Sequence, residues 1–307
     1  MKISIIGAGF VGATTAQRIW EKNLGDVFLY DIIEDMPQGK ALDMMESAPI
    51  LGIESKIVGT NRFEDCKDSD IFIITSGLAR QPGMSRDDLL NRNAEIASNV
   101  AENIQRFSQN ALVIVVSNPV DVLTYLIAHK TKLPKHRVMG MAGVLDSARF
   151  RYFIASELDI APQAVQAMVL GGHGDEMVPL SRFATVSGVG IEHFLSKEKI
   201  EQLIKRTREG GAEIVKLLKK GSAYYAPSAS ILEMVESIVK DQKRILPCSA
   251  WCEGHYGVNG QYIGVPVILG RNGVEKIIEL PLTEDELEAL QESARHVAAN
   301  VAKLNLF

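Results

Sequence analysis

Residues 75–86 read T-S-G-L-A-R-Q-P-G-M-S-R, with Arg80 and Arg86 six apart around Pro82 and Gly83. Proline and glycine so placed break helix and strand, so a loop is expected. Two guanidinium groups just after the apolar run I-F-I-I (71–74) ask for an anion, since Arg grips carboxylates and phosphates in a planar fork. His173 stands between glycines in L-G-G-H-G-D-E, unlike the other five of the six histidines. An imidazole there can take or give a proton near neutral pH. A lone histidine is usually structural, so a catalytic one needs an orienting carboxylate. By pattern the candidate is Asp146 in A-G-V-L-D-S-A-R; its other reading is a helix N-cap before F-R-Y-F-I-A. Arg149 follows Asp146 by three, on the same helical face. That pair is either a surface ion pair of little worth, or Asp146 turns to the histidine and Arg149 to a substrate carboxylate.

These residues need a scaffold, and the first half of the chain supplies its rhythm. Short apolar runs at 3–6, 27–30, 56–58, 71–75, 112–116 and 138–139 alternate with segments of three- and four-residue apolar spacing, such as 89–107. Continuous apolar strands alternating with helices predict a parallel sheet covered on both faces. The first strand runs into G-A-G-F-V-G, a G-x-G-x-x-G of Gly7, Gly9 and Gly12 that opens a helix. That strand–turn–helix context makes it a dinucleotide site, with the pyrophosphate on the helix N-terminus. Asp31, nineteen residues after Gly12, ends the next strand in F-L-Y-D-I. A carboxylate there accepts both ribose hydroxyls and repels a 2′-phosphate, favouring NAD over NADP.

After about residue 141 the rhythm changes. Helices are expected at 145–158, 198–218 and 228–240, and a strand at 164–170 leading into the histidine loop. Segments 262–270 and 274–280, joined by R-N-G, read as a hairpin with an Asn-Gly turn. A capping box, T-E-D-E from Thr283, opens an amphipathic C-terminal helix. The expected fold class is α/β: a Rossmann doubly wound parallel sheet over 1–141, then an α+β, mostly antiparallel substrate half over 142–307.

Net charge is −5 with a pI near 5.8, and no basic patch suggests a nucleic-acid partner. The longest apolar runs fall far below the ~18–20 residues of a membrane span. No export signal is visible, so a cytoplasmic protein is expected. Cys66, Cys248 and Cys252 form no disulfide framework. C-x3-C with His255 nearby offers too few ligands for zinc, so small buried thiols are expected and no metal.

Six features now stand in order: G-A-G-F-V-G, Asp31, S-G-L-A-R-Q-P-G-M-S-R, V-S-N-P, G-V-L-D-S-A-R and G-G-H-G-D-E-M-V-P. Together they resemble the lactate/malate dehydrogenase family, and most its malate dehydrogenases that are similar to lactate dehydrogenase. The resemblance implies NAD held by Gly7, Ala8, Gly9, Phe10, Val11, Gly12, Asp31, Asn93, Val116, Ser117 and Asn118. It implies His173 as proton acceptor and donor with Asp146 as partner, Arg149 on the carboxylate beside the reacting carbon, and Arg86 polarising the carbonyl. Asn118 would contact substrate as well as nicotinamide. The position three before the loop glycine reads the substrate side chain: Arg80 here, Gln in lactate-type relatives. A cation there implies a dicarboxylic acid, so the expected reaction is hydride transfer between (S)-malate and NAD. The loop departs from the family pattern: malate enzymes more often have a proline before that arginine and a basic residue after it. The rival readings are an L-lactate dehydrogenase, an NAD-dependent glycosidase and a redox-inert NAD-binding scaffold. Relatives imply a homodimer or homotetramer.

Overall fold

The computed structural model describes residues 1–78 and 86–304, with Arg86 described by its backbone alone. The first half of the main sheet comprises β1 (Lys2–Ile6), α1 (Phe10–Glu21), β2 (Asp26–Tyr30), α2 (Met36–Glu46), α3 (Ala48–Leu51) and β3 (Ile57–Thr60). Then come β4 (Ile71–Ile74), α4 (Arg86–Phe107), β5 (Leu112–Val115), α5 (Val120–Thr131) and β6 (Val138–Gly140). These six strands are parallel in the order β3-β2-β1-β4-β5-β6. β1 and β4 are neighbours although β2 and β3 separate them in sequence. The strand order therefore reverses between them and leaves a crevice at their carboxyl ends. β4 and β5 are buried at every residue, the signature of strands covered on both faces.

The second half is built of α6 (Gly143–Leu158), β7 (Val165–Gln166), β8 (Val169–Leu170), β9 (Val178–Pro179), β10 (Thr185–Val186), β11 (Val189–Gly190), α7 (Lys197–Leu218), α8 (Tyr225–Val239), β12 (Arg244–Glu253), β13 (Asn259–Gly270), β14 (Gly273–Ile277) and α9 (Glu284–Ala302). β12, β13 and β14 are antiparallel and continue the main sheet beyond β6, through a Ser249–Gly140 pairing, to nine strands. The sheet thus runs unbroken past residue 141. A second cluster, with Phe150, Ile154, Val165, Val169 and Leu203, packs α6 and α7 over the small strands. Thr283 caps α9 as expected: its hydroxyl accepts from Glu286 N–H at 3.2 Å, and the Glu286 carboxylate accepts from Thr283 N–H at 2.9 Å.

Two local expectations are corrected. The single strand over 164–170 is two strands in two small sheets: β7 pairs with β10, and β8 with β9. Side chains of α6 take up backbone groups here: Arg151 Nε donates to Val165 O at 2.8 Å, and Val169 N–H donates to Ser147 Oγ at 2.9 Å. The hairpin also turns one residue early. Its loop is Arg271–Asn272, neither of them at positive φ, and Gly273 already belongs to β14 with φ +94°. The left-handed residue therefore follows the turn, as in a glycine bulge, where an Asn-Gly turn would need it inside. β12 was not anticipated. Pro247 would normally argue against a central strand, but it lies opposite Pro266 of β13.

Glycines bring β8 onto the sheet. Gly171 N–H donates to Gly264 O at 2.9 Å, and a Cβ on Gly264 would lie 2.3 Å from Gly171 O. Gly264→Ala should therefore destabilise the fold by about 1–3 kcal/mol, as forced overpacking does. Urea unfolding tests this; an unchanged midpoint would mean that β8 yields freely.

Candidate active site

Two groups of residues lie beyond the carboxyl ends of the parallel strands, one after β1, β4 and β5 and the other where α5 and α6 begin. The first is the glycine turn after β1. Gly7 has φ +108°, and a Cβ on it would lie 2.7 Å from Ser76 N. A Cβ on Gly12 would sit 1.8 Å from Gly7 O, so α1 starts hard against the turn only because that residue is glycine. Gly9 differs: nothing lies within 4 Å of its would-be Cβ, which leaves its face open to a ligand. Gly9 is the N-cap of α1 and offers no side-chain cap, so no side chain of the cap competes for the first-turn N–H groups. Phe10 is exposed and stacks on Tyr224, Val11 is half-buried, and Ala8 is buried. Asp31 accepts Ala8 N–H at 2.7 Å through Oδ2 and Ile33 N–H at 3.0 Å through Oδ1. Its charge is thus fixed beside the glycine turn. Open face, free helix N-terminus and adjacent carboxylate together fit a dinucleotide with an unphosphorylated adenosine ribose.

The loops after β4 and β5 are tied to each other. Asn93, on α4 and 2% exposed, accepts Leu78 N–H at 2.7 Å and donates to Asn118 O at 2.8 Å. Ser117 Oγ donates to Ser76 O at 2.5 Å, and Val116 N–H to Ile74 O at 2.9 Å. Asn118 is exposed at this edge. Asn93 therefore sets the spacing of the loops with its whole amide. Sequence spacing did not reveal that role, nor the link from Thr75 Oγ1 to Gly7 O at 2.9 Å.

The second group is a buried charge cluster. Asp146 lies in the first turn of α6, 1% exposed, while the N-cap is Ala142. The capping alternative is thereby replaced: the carboxylate points inward. Its Oδ2 lies 2.7 Å from His173 Nδ1, and its Oδ1 accepts from Arg149 Nη1 at 3.3 Å. Arg149 is no surface pair either, its side chain being 12% exposed. A carboxylate on Nδ1 makes that nitrogen the N–H donor and leaves Nε2 for chemistry. Burial alone would push the imidazole pKa down; the charge and hydrogen bond of Asp146, helped by Asp121, outweigh it and raise the value above 6.5. Burial lowers the Arg149 pKa, and Asp146 only partly restores it. Arg149 Nε is buried without a hydrogen-bond partner, which suits an incoming carboxylate. Gly210 and Gly211 of α7 pass over this side chain: a Cβ on Gly210 would lie 3.2 Å from Arg149 Cδ. The chain signals for these glycines and for Ser249 are too local to reveal their placement.

Arg80 lies outside the described residues, as does the Arg86 side chain. Arg86 begins α4 at the exit of that loop. Cys66, Cys248 and Cys252 are buried free thiols, pushed up by burial, Cys66 to about 11 and Cys252 to about 12. Among the described residues no cluster of His, Cys, Asp and Glu could hold a metal ion.

A Rossmann sheet with an open glycine turn at its switch point, together with a buried acid–imidazole–guanidinium cluster, defines a dinucleotide-dependent dehydrogenase of carboxylated substrates. The chain belongs to the lactate/malate dehydrogenase family. Residues 1–140 match that family's NAD-binding domain, and residues 143–307 its alpha/beta C-terminal domain. A malate dehydrogenase of Chlorobium phaeobacteroides is 55% identical over 305 residues, 99% of this chain and 98% of that protein. The crystal structure of Cryptosporidium parvum malate dehydrogenase superposes with a TM-score of 0.97 at 44% identity, covering 100% of this chain and 99% of that one. The lactate dehydrogenase of the same organism, complexed with lactic acid and nicotinamide adenine dinucleotide, gives 0.95 at 43% identity over 98% of this chain and 96% of that one.

The cluster makes a signed prediction. Asp146→Asn keeps an acceptor near Nδ1 but removes the charge. Burial then governs, and the imidazole should release its proton below 6.5 where the parent does so above it. NMR titration of the His173 ring measures this; a titration that stays in place would mean Asp146 does not set it.

Proposed function

We propose that the chain is an NAD-dependent malate dehydrogenase, interconverting (S)-malate and oxaloacetate. The observation that carries this reading is the buried His173–Asp146–Arg149 cluster, with Arg149 Nε unpaired, beside a glycine turn that fits NAD. Bound NAD supplies the hydride acceptor or, when reduced, the donor.

The protein's own residues do the rest. Gly7, Ala8, Gly9, Phe10, Val11 and Gly12 would cradle the pyrophosphate, Asp31 would hold the adenosine ribose, and Val116, Ser117 and Asn118 would line the nicotinamide end. Asn93 fixes that lining from behind. Arg149 binds the carboxylate next to C2, placing the hydroxyl at His173 Nε2. As the hydride leaves C2, Nε2 takes the hydroxyl proton, and Asp146 steadies the imidazolium across 2.7 Å. Arg86 stabilises charge on the carbonyl oxygen, and Arg80 binds the second carboxylate. Holding both ends of a diacid fixes the attack geometry. A monoacid would leave the Arg80 charge without a partner, and an unpaired charge withdrawn from water costs several kcal/mol. On this reading residues 1–141 carry the cofactor and 142–307 most of the substrate contacts.

The assembly is read as a homodimer or homotetramer, supported by the exposed apolar side chains Leu42, Ile50 and Leu51 on α2 and α3. The compartment is read as the cytoplasm; no helix among the described residues is long and apolar enough to cross a membrane.

Initial rates with NADH against oxaloacetate and pyruvate test the function. The expected kcat/KM for oxaloacetate exceeds that for pyruvate by at least about a hundredfold, and NADPH is a poor substitute. Arg80→Gln should move preference toward pyruvate; an unmoved ratio assigns the far carboxylate to another group. His173→Asn should bind NADH normally and lose roughly a thousandfold in kcat, and full turnover would remove His173 from the reaction.

A further inference from the structure

Three successive N–H groups lead into the histidine, and three different elements catch them. Gly171 N–H donates to Gly264 O of β13 at 2.9 Å, and Gly172 N–H to Ser293 Oγ of α9 at 2.8 Å. His173 N–H donates to Asp121 Oδ2 of α5 at 3.0 Å. The first two acceptors are neutral; the third is a carboxylate only 4% exposed. A neutral acceptor would serve the backbone equally well, and a buried acid without an adjacent cation is costly. Asp121 Oδ1 makes no hydrogen bond of good geometry, nor does the neighbouring Ser249 hydroxyl, although that hydroxyl still favours the charged carboxylate. The acid is therefore not explained by its neutral neighbours.

The charges around His173 supply the reason. From α6 come Asp146 and Arg149; from α5 comes Asp121. β12 adds the Ser249 hydroxyl and α9 the Ser293 hydroxyl, while His296 of α9 pairs with Glu176 and Glu292 at the surface. From α7, Arg208 binds Met177 O at 3.2 Å. When His173 holds a proton, Asp146 must serve two cations, the imidazolium and Arg149. Asp121 is the other acid whose charge raises the imidazole pKa.

We propose that Asp121 is a second carboxylate for the His173 imidazolium, fixing the residue by its main-chain N–H and stabilising its proton by charge. It is a positioning residue, and its assignment rests on the reading of His173 as the proton carrier. Burial, with the Asp146 charge added to it, holds the Asp121 carboxyl above the usual carboxylate range; Ser249, the His173 N–H and the imidazolium offset part of that rise, so each proton bound at His173 favours the charged acid.

Asp121→Asn and Asp121→Ala separate charge from position. Asparagine keeps the size and the acceptor. In the NADH complex of Asp121→Asn, the His173 ring should titrate lower by about half a unit or more. Reduction of oxaloacetate needs the protonated ring, so its alkaline limb in kcat/KM should move to lower pH by the same amount. NADH affinity should stay within about twofold. Asp121→Ala also frees the N–H and should lose a further factor of roughly ten in kcat, with KM changing less. A His173 titration within about 0.2 unit of the parent in Asp121→Asn overturns the proposal, whatever the alanine variant does. If Asp121→Ala does not fold, the asparagine variant alone decides. If the parent reduces neither oxaloacetate nor pyruvate, the functional reading fails, and the NMR titration still judges the electrostatic one.

Discussion

The contact between His173 Nδ1 and Asp146 Oδ2, at 2.7 Å with both side chains nearly buried, is the constraint around which the second half of the chain is arranged. Its partners lie 27 residues apart, one in the first turn of a helix and one after a two-residue strand. For them to meet, α6 must start directly beneath β8. Gly143 permits this: a Cβ there would lie 2.3 Å from Val169 O and 2.7 Å from Pro247 Cβ. The hydrogen bond from Val169 N–H to Ser147 Oγ then locks the helix to the strand one residue beyond the acid. Low dielectric strengthens the pair, and the same burial makes any unpaired member expensive. Arg149, held by the same carboxylate, keeps a buried Nε without a hydrogen-bond partner.

The cofactor side obeys a different logic, of backbone rather than charge. Its glycines serve three separate ends: Gly7 turns the chain, Gly12 lets α1 approach, and Gly9 leaves space. Thr75, Ser76, Asn93 and Ser117 then bind the loops after β1, β4 and β5 to one another by hydrogen bonds through backbone atoms. A rim made this way is rigid before any ligand arrives, which reduces the ordering cost of binding. The unbroken sheet from β14 to β3 carries this rim and the charge cluster on one scaffold, so their spacing follows from strand pairing rather than from a linker.

Much of this was legible in the chain because its signals are local. The G-x-G-x-x-G and Asp31 are set by one strand–turn–helix unit, and all five named helices begin within three residues of their expected starts. His173, Asp146 and Arg149 stood out by type and spacing, although spacing alone left capping and surface pairing open; only burial removed those readings. What failed to show depends on partners far away in sequence. The break in 164–170 follows from side chains of α6 taking ladder groups. β12 accommodates Pro247 opposite Pro266 of β13, a pairing invisible to either segment alone. In the sequence Asp121 is only an acid two residues after V-S-N-P; its bond to the His173 main chain exists only in the fold.

The framework is shared with relatives named for different 2-hydroxy acids. Cryptosporidium parvum proteins named for malate and for lactate superpose on this chain almost equally well, with TM-scores of 0.97 and 0.95. On the proposed reading, sheet, glycine turn and charge cluster serve any acid with a carboxylate beside C2. Discrimination has to come from a group that meets the other end of the substrate. On the proposed reading that group is Arg80, whose guanidinium cannot lose its charge and so cannot adapt to an apolar methyl. Neutral side chains could reshape themselves around either substrate. A cation excluded from water cannot, and several kcal/mol of unpaired charge is a factor of a hundred or more in the choice between two acids. On that reading specificity rests on one charge, that of Arg80, added to a cluster that meets only the carboxylate both substrates share.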